Sequence, residues 1–252
     1  NLQMALPPLA EQQRFAGILT ERLAVVERAR AAAKAQLAAA QALPAAHLRE
    51  VFESKTARDW KVCRLGDLID RYNEIIHPGD RTGGEAVFVG LEHIEPNTGR
   101  QTGSLRINLA TLTGRKPAFK KGQIVYGYLR PYLNKVWIAE FDGCSSVDQF
   151  AFEVRRDRAD PSFVAAFMRS DTFLRRSEVV TTTGQLPRVS IDEILAVKID
   201  VPATVEDQSR IAADLSHRLE TAYRLTASCQ TQVAAIDAIP AALLRQAFQG
   251  GS

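Results

Sequence analysis

The sequence predicts an α+β protein, a compact mixed domain held on two long antiparallel helices that pair as a coiled coil. Three observations predict it: the chain's two ends repeat each other, each repeat carries a heptad stripe, and the composition changes between them. An offset of 196 residues aligns the ends without a gap, setting Gln12, Arg14 and Ala16 on Gln208, Arg210 and Ala212. The same offset sets Arg22-Leu23 on Arg218-Leu219 and Pro44-Ala45-Ala46 on Pro240-Ala241-Ala242. Leu48, Arg49 and Phe52 fall on Leu244, Arg245 and Phe248. Shared alanine richness accounts for some matches, but not for the paired prolines or the spaced Leu-Arg-Phe endings, and a repeated sequence implies a repeated structural task.

The first helix is read from Leu19, Leu23, Val26, Arg30, Ala33, Leu37 and Ala40, which alternate four and three apart and turn one face to a partner. Its copy is Leu215, Leu219, Ala222, Thr226, Cys229, Val233 and Ile236. Small residues in both stripes allow close approach of the backbones, and neither stripe can be left to water. From Ala10 to Leu43 the rise would be about 51 Å, long for a globular domain. Pro44 and Pro240 interrupt both helices at matching places, so a kink and a short second helix are expected, with Leu48 and Phe52, or Leu244 and Phe248, docking on something. Pairing within the chain and pairing with a second subunit are both compatible with the stripes.

Between the helices alanine thins out and Gly, Pro, Asn and Asp punctuate short apolar runs. Val87–Val89, Ile124–Tyr126, Val136–Ile138, Phe150–Val154 and Lys198–Val201 read as strands. Turns are signalled at Pro78-Gly79-Asp80, Gly83-Gly84, Pro96-Asn97 and Asp142-Gly143. Phe163, Phe167, Met168 and Leu174 fall on helical spacing after Asp160-Pro161-Ser162, and Ser190 with Glu193 forms a capping box. The division expected is residues 1–54 for one helical region, 55–201 for the mixed domain and 202–252 for the second helical region.

Composition narrows the function classes. The 252 residues are 46% hydrophobic and 24% charged, which suits a folded soluble chain. No run of about 18 apolar residues offers a membrane span, and Asn1–Leu9 lacks the basic head and hydrophobic stretch of a signal peptide. Cys63, Cys144 and Cys229 are odd in number and far apart, pointing to a reducing cytoplasm. His47, His77, His93 and His217 are equally scattered, and neither set has metal-ligand spacing. Phosphate loops, dinucleotide fingerprints, His-Glu-x-x-His and Gly-x-Ser-x-Gly are absent. Asp67, Asp70 and Glu92 read as solvated surface or caps, and Ser145-Ser146 beside Cys144 as a turn.

One segment stands out. Arg115 to Lys135 holds Arg115, Lys116, Lys120, Lys121, Arg130 and Lys135 with no acid, interleaved with Phe119, Tyr126, Tyr128 and Tyr132. The net charge of the whole chain is only +3, so this is a local concentration. Lys neutralises phosphates as a point charge, while Arg and Tyr stack and donate hydrogen bonds. A nucleic-acid contact and a basic loop around buried aromatics both fit the pattern. A second run, Thr181 to Arg188, offers Thr182, Thr183, Gln185 and Arg188, side chains that bind phosphates or read base edges, or that satisfy their own loop.

These landmarks resemble a known family. Pro7-Pro8-Leu9-Ala10-Glu11-Gln12-Gln13-Arg14 before a Leu/Ala-rich helix, and Val201-Pro202 through Glu206-Asp207-Gln208-Ser209-Arg210-Ile211, look like the conserved regions of type I restriction-modification specificity subunits. Trp60 to Leu68 resembles the opening of a target-recognition domain. Gly122 to Tyr126, Tyr128 to Val136 and Thr183-Gly184-Gln185 resemble its later landmarks. The resemblance implies a noncatalytic, cytoplasmic subunit whose target-recognition domain reads one half of a split site in double-stranded DNA while paired helices set the spacing. It implies modification subunits that methylate adenine with S-adenosylmethionine, a separate restriction motor-nuclease, and no cofactor in this chain. Tyr126, Tyr128, Arg130, Tyr132, Asn134 and Lys135 match a region near the DNA face, with Lys116, Lys120 and Lys121 beside it and Thr182, Thr183, Gln185 and Arg188 on the loop. The family's subunits carry two recognition domains and this chain has one, which fits a half-subunit that forms a homodimer through the helices or part of a longer chain. A stand-alone DNA-binding regulator and a structural coiled-coil adaptor are the alternative readings.

Overall fold

A computed structural model describes residues 8–54, 56–80, 83–177 and 186–249. Along the chain lie α1 (Leu9–Phe52), β1 (Lys61–Arg64), β2 (Ile69–Tyr72), β3 (Ile75–Ile76), β4 (Glu85–Val89), β5 (Leu105–Asn108), β6 (Lys116–Phe119) and β7 (Ile124–Gly127). There follow β8 (Val136–Ile138), β9 (Gly143–Ser145), β10 (Gln149–Val154), α2 (Pro161–Met168), α3 (Asp171–Arg176), α4 (Ile191–Ala196), β11 (Lys198–Val201) and α5 (Val205–Gln249). The chain divides into a helical unit, residues 1–44 with 218–252, and a globular unit, residues 45–217.

In the helical unit, α1 and α5 pack together. They are antiparallel because α1 leads into the globular unit and α5 leads out of it. Between residues 13 and 42 the side chains withdrawn from solvent are Leu19, Leu23, Val26, Arg30, Ala33, Leu37 and Ala40, the stripe read from the sequence. Leu219, Ala222 and Cys229 are buried on α5, and Thr226, Val233 and Ile236 half-buried. Arg30 joins the two, its Nε donating to Asp237 Oδ1 at 2.6 Å. Neither proline ends its helix: α1 runs through Pro44 as one 44-residue helix of about 66 Å, and α5 runs through Pro240. The separate short helices expected after the prolines are therefore continuations. A proline forfeits one helical hydrogen bond, and in α1 the packing of Leu48 and Phe52 beyond it offsets that loss.

Among the described residues, the globular unit is built on three sheets. A four-stranded antiparallel sheet has the order β2-β10-β7-β8, a five-stranded mixed sheet the order β3-β6-β9-β4-β5, and β1 pairs with β11 as a ribbon. The strands read from the sequence are present. The short β1, β2, β3, β5, β6 and β9 are additional to them: β1, β2, β5 and β6 carry charged residues, and β3 and β9 are only two and three residues long. Asp142-Gly143, read as a turn, instead opens β9. A Cβ at Gly143 would sit 2.5 Å from the Val87 carbonyl, so glycine permits this close parallel approach to β4.

The four-stranded sheet separates two cores, as strand alternation requires. On one face Val125, Trp137 and Ala151 pack with Val89, Ile94 and Phe119. On the other, Tyr126 meets Phe173 edge-on at 5.7 Å, and the aromatic layer continues through Phe167 and Phe163 to Phe52. The helical spacing after Asp160 resolves into two helices, each with its own cap. Asp160 accepts from the Phe163 amide at 2.9 Å and Ser170 from the Phe173 amide at 3.2 Å. The Ser190–Glu193 box forms reciprocally at 3.2 and 2.7 Å and opens α4.

Candidate nucleic-acid interface

In β10 Phe150 pairs with Tyr126 of β7, and Phe152 pairs with Arg71 of β2, so these side chains share the face that α3 covers through Phe173. Tyr128, two residues beyond Tyr126, leaves the strand on that same face past the covered region. It stacks on Phe150 with centroids 4.3 Å apart and planes 20° apart. Arg71 holds its guanidinium 4.8 Å from the Phe150 centroid, a cation–π contact. The Tyr128 hydroxyl donates to the Val147 carbonyl at 2.9 Å, which fixes the ring.

The segment entering α4 closes the platform from the side. Leu129 bridges to Arg188, the Arg130 amide donates to the Pro187 carbonyl at 2.8 Å, and the Val189 amide to the Tyr128 carbonyl at 3.3 Å. Burial raises the Tyr128 phenol and Asp148 raises it further, while Arg188, Arg115 and Arg71 pull it back down. Three arginines from three parts of the chain therefore act on one ring. All three are exposed, as is Arg130. Arg130 and Asn134, both left-handed, bracket the short turn Pro131–Leu133 and leave Tyr132 58% exposed at its tip.

The structure sorts the candidate residues. Tyr128, Arg130, Tyr132 and Arg188 come together on the surface, with Arg115 near them. Tyr126 is a correction: it is fully buried against Phe173, its hydroxyl has no partner among the described residues, and desolvation drives its pKa far up, so it is core. Asn134 is another, buried at the turn with its amide donating to the Arg169 carbonyl at 2.6 Å. The Lys135 ammonium is spent on the Leu91 carbonyl, and burial lowers its pKa. Lys116 lies 4.8 Å over the Phe88 ring. Lys120 pairs with Asp142 at 3.5 Å, and the Lys121 amide donates to the same carboxylate at 2.9 Å. Both lysines precede β7, at the opposite end of that strand from Tyr128. Thr182, Thr183 and Gln185 lie outside the described residues.

Two members were missed by sequence reasoning. Arg71 and Phe150 lie outside the basic segment and reach it only through strand pairing, and no local signal marks either. Among the described residues no group of His, Cys, Asp and Glu could hold a metal ion, and no helix is long and apolar enough to cross a membrane.

No family model matches the chain. It is 26% identical over 196 residues to the type I restriction enzyme EcoDI specificity subunit of Escherichia coli, spanning 76% of this chain and 42% of that protein. Its fold superposes on a chain from a solved structure of the type I R-M system, concerned with complex assembly and conformational transition, with TM-score 0.72 and 18% identity. The match covers 96% of this chain and 60% of that one. The HsdS subunit of Thermoanaerobacter tengcongensis gives TM-score 0.57 at 19% identity, covering 98% of this chain and 60% of its own. The chain thus spans less than two thirds of each of these relatives. Across three quarters of the chain in sequence and nearly all of it in fold, the chain is similar to type I restriction-modification specificity (HsdS) subunits.

Proposed function

We propose that the chain is the DNA-recognition component of a type I restriction-modification assembly and has no catalytic chemistry of its own. The observation that carries this reading is the Tyr128–Phe150 stack with exposed Arg71, Arg115 and Arg188 acting on it and exposed Arg130 on the adjoining turn. Arginine contacts phosphates and reads guanine edges bidentately, and fixed aromatics give those arginines a rigid base. Modification subunits using S-adenosylmethionine would methylate adenine at the site so read, and a motor-nuclease subunit would restrict unmodified DNA. The helical unit would set the distance between half-sites, residues 55–201 serving as the reader and the flanking regions as the strut.

One reader accounts for one half-site. Leu48 is buried in the globular unit, whereas its repeat partner Leu244 is 42% exposed. The second half-site would be read by another such domain, in a second copy of this chain or in further sequence.

Fluorescence titration of duplex DNA at several salt concentrations tests the reading. Replacing Arg71 or Arg188 by alanine should weaken binding. If the lost contact is to a phosphate, it should also flatten the slope of log K against log salt by about 0.9 per contact. If it is to a base, it should cost about 1–3 kcal/mol on the target alone. Lys120→Ala, at the other end of β7, tests how far the interface extends. Unchanged affinity and slope in both arginine variants would reject the platform as the interface. A methylation assay with modification subunit, labelled S-adenosylmethionine and randomised duplexes would then report the target.

A further inference from the structure

Among the described residues, Arg30 is the one charged member of the α1 stripe. Arg30 occupies a stripe position between Val26 and Ala33, donates from Nε to Asp237 Oδ1 at 2.6 Å and from Nη1 to Glu27 Oε1 at 2.7 Å, and is half-withdrawn from water. Asp237 is the lone carboxylate in residues 221–249 of α5. Sliding the helices by one heptad would set Arg30 against Gln230 or Leu244, neither of which carries a negative charge.

The apolar seam by itself specifies little. Its buried members are Val26, Ala33 and Ala40 on α1 and Leu219, Ala222 and Cys229 on α5, and the four small ones among them act poorly as knobs that fit one register only. The repeat adds a second ambiguity, because α1 and α5 carry apolar stripes at matching positions, with Leu19 and Leu23 recurring as Leu215 and Leu219. A helix pair made of two α1 copies, or of two α5 copies, would also bring apolar stripes together.

The ion pair resolves both ambiguities. The repeat offset carries Arg30 onto Thr226 and Asp237 onto Gln41. In the equivalent register two α1 helices would therefore set Arg30 against Gln41, and two α5 helices would set Asp237 against Thr226. Only the mixed pair brings the cation to the carboxylate. We infer that Arg30 is a positioning residue that, through Asp237, selects the α1–α5 pair and its register over the homotypic pairs that the repeat otherwise allows. A polar group placed in a seam contributes specificity rather than gross stability, which is the role expected here.

The inference concerns how the strut is assembled and is tested on the full chain without DNA, so its outcome is independent of whether the platform reads a duplex. Hydrogen exchange over residues 22–36 and 230–244, with sedimentation equilibrium for association, should be measured for Arg30→Asp, Asp237→Arg, Arg30→Gln and the exchanged double variant R30D/D237R. Each reversal should speed exchange in both segments by about five- to tenfold and promote concentration-dependent association. Arg30→Gln should do so less. The double variant should recover most of the protection, short of all of it because Glu27 then faces a like charge. Exchange and association like the parent in the single reversals, or a double variant no better than either single one, would overturn the inference.

Discussion

The helical pair and the aromatic layer of the globular unit are held by opposite means. Around Phe163, Phe167 and Phe173 large rings meet edge-on at 5.4–5.8 Å, so shape alone dictates one arrangement. Between α1 and α5 the buried side chains are mostly alanine-sized, so little volume is at stake in the seam and one ion pair supplies the discrimination. A strut meant to hold a distance can be thin, provided its register is fixed. A reader meant to hold side chains in place needs a packed floor beneath them.

Volume loss should therefore cost most in the globular unit. Phe167→Ala removes a ring that touches both Phe52 and Phe173 and should lose about 3–5 kcal/mol in urea denaturation. In the seam the damaging change is the reverse. Ala33→Leu or Ala40→Leu, at positions 3% and 2% exposed, should cost about 1–3 kcal/mol by forcing the backbones apart. Thermal unfolding of both variants checks this, and a stabilised Ala33→Leu would mean the seam is loosely packed after all.

Tyr126→Phe sharpens the contrast within the aromatic layer. Its hydroxyl is buried without a partner among the described residues, so deleting it should leave stability unchanged or raise it by up to about 1 kcal/mol. Chemical denaturation reads the effect, and a clear loss would show that the hydroxyl is satisfied. The smallest effect is electrostatic. Hydrogen bonds from Arg175 and then Thr172 hold the Glu53 carboxyl below its ordinary 4.5. A carboxylate depressed by folding adds stability above its unfolded value and loses it as pH falls through the lowered one. Glu53 is largely exposed, so screening keeps the contribution under about 1 kcal/mol. Glu53→Gln should be the less stable protein at neutral pH, and the difference should vanish on acidification below 4.5.

The two regions also differed in how far they could be read from residues alone. The contact stripe of the helical pair was legible, because a helix contacts its partner at a fixed period and that period survives in the sequence. What the pattern did not reveal was that Pro44 and Pro240 would be carried inside continuous helices. The platform was legible only in part. Tyr126 and Tyr128 lie on one face two residues apart, yet one is core and the other is surface. The difference is where the Phe173 layer stops, which no local pattern records. Charge misled in the same way at Lys135, which caps a backbone carbonyl, and the pairings that bring Arg71 over Phe150 span 79 positions of chain.

The Pro131–Leu133 turn has a consequence for how this surface can change. Two consecutive corners at φ 53° and 49° exclude β-branched residues at 130 and 134, while nothing in the backbone constrains 132 between them. The tip is thus a socket with fixed walls and an interchangeable bit. New side chains can be tried at Tyr132 without refolding anything beneath, so binding preference can drift there while the scaffold stays put.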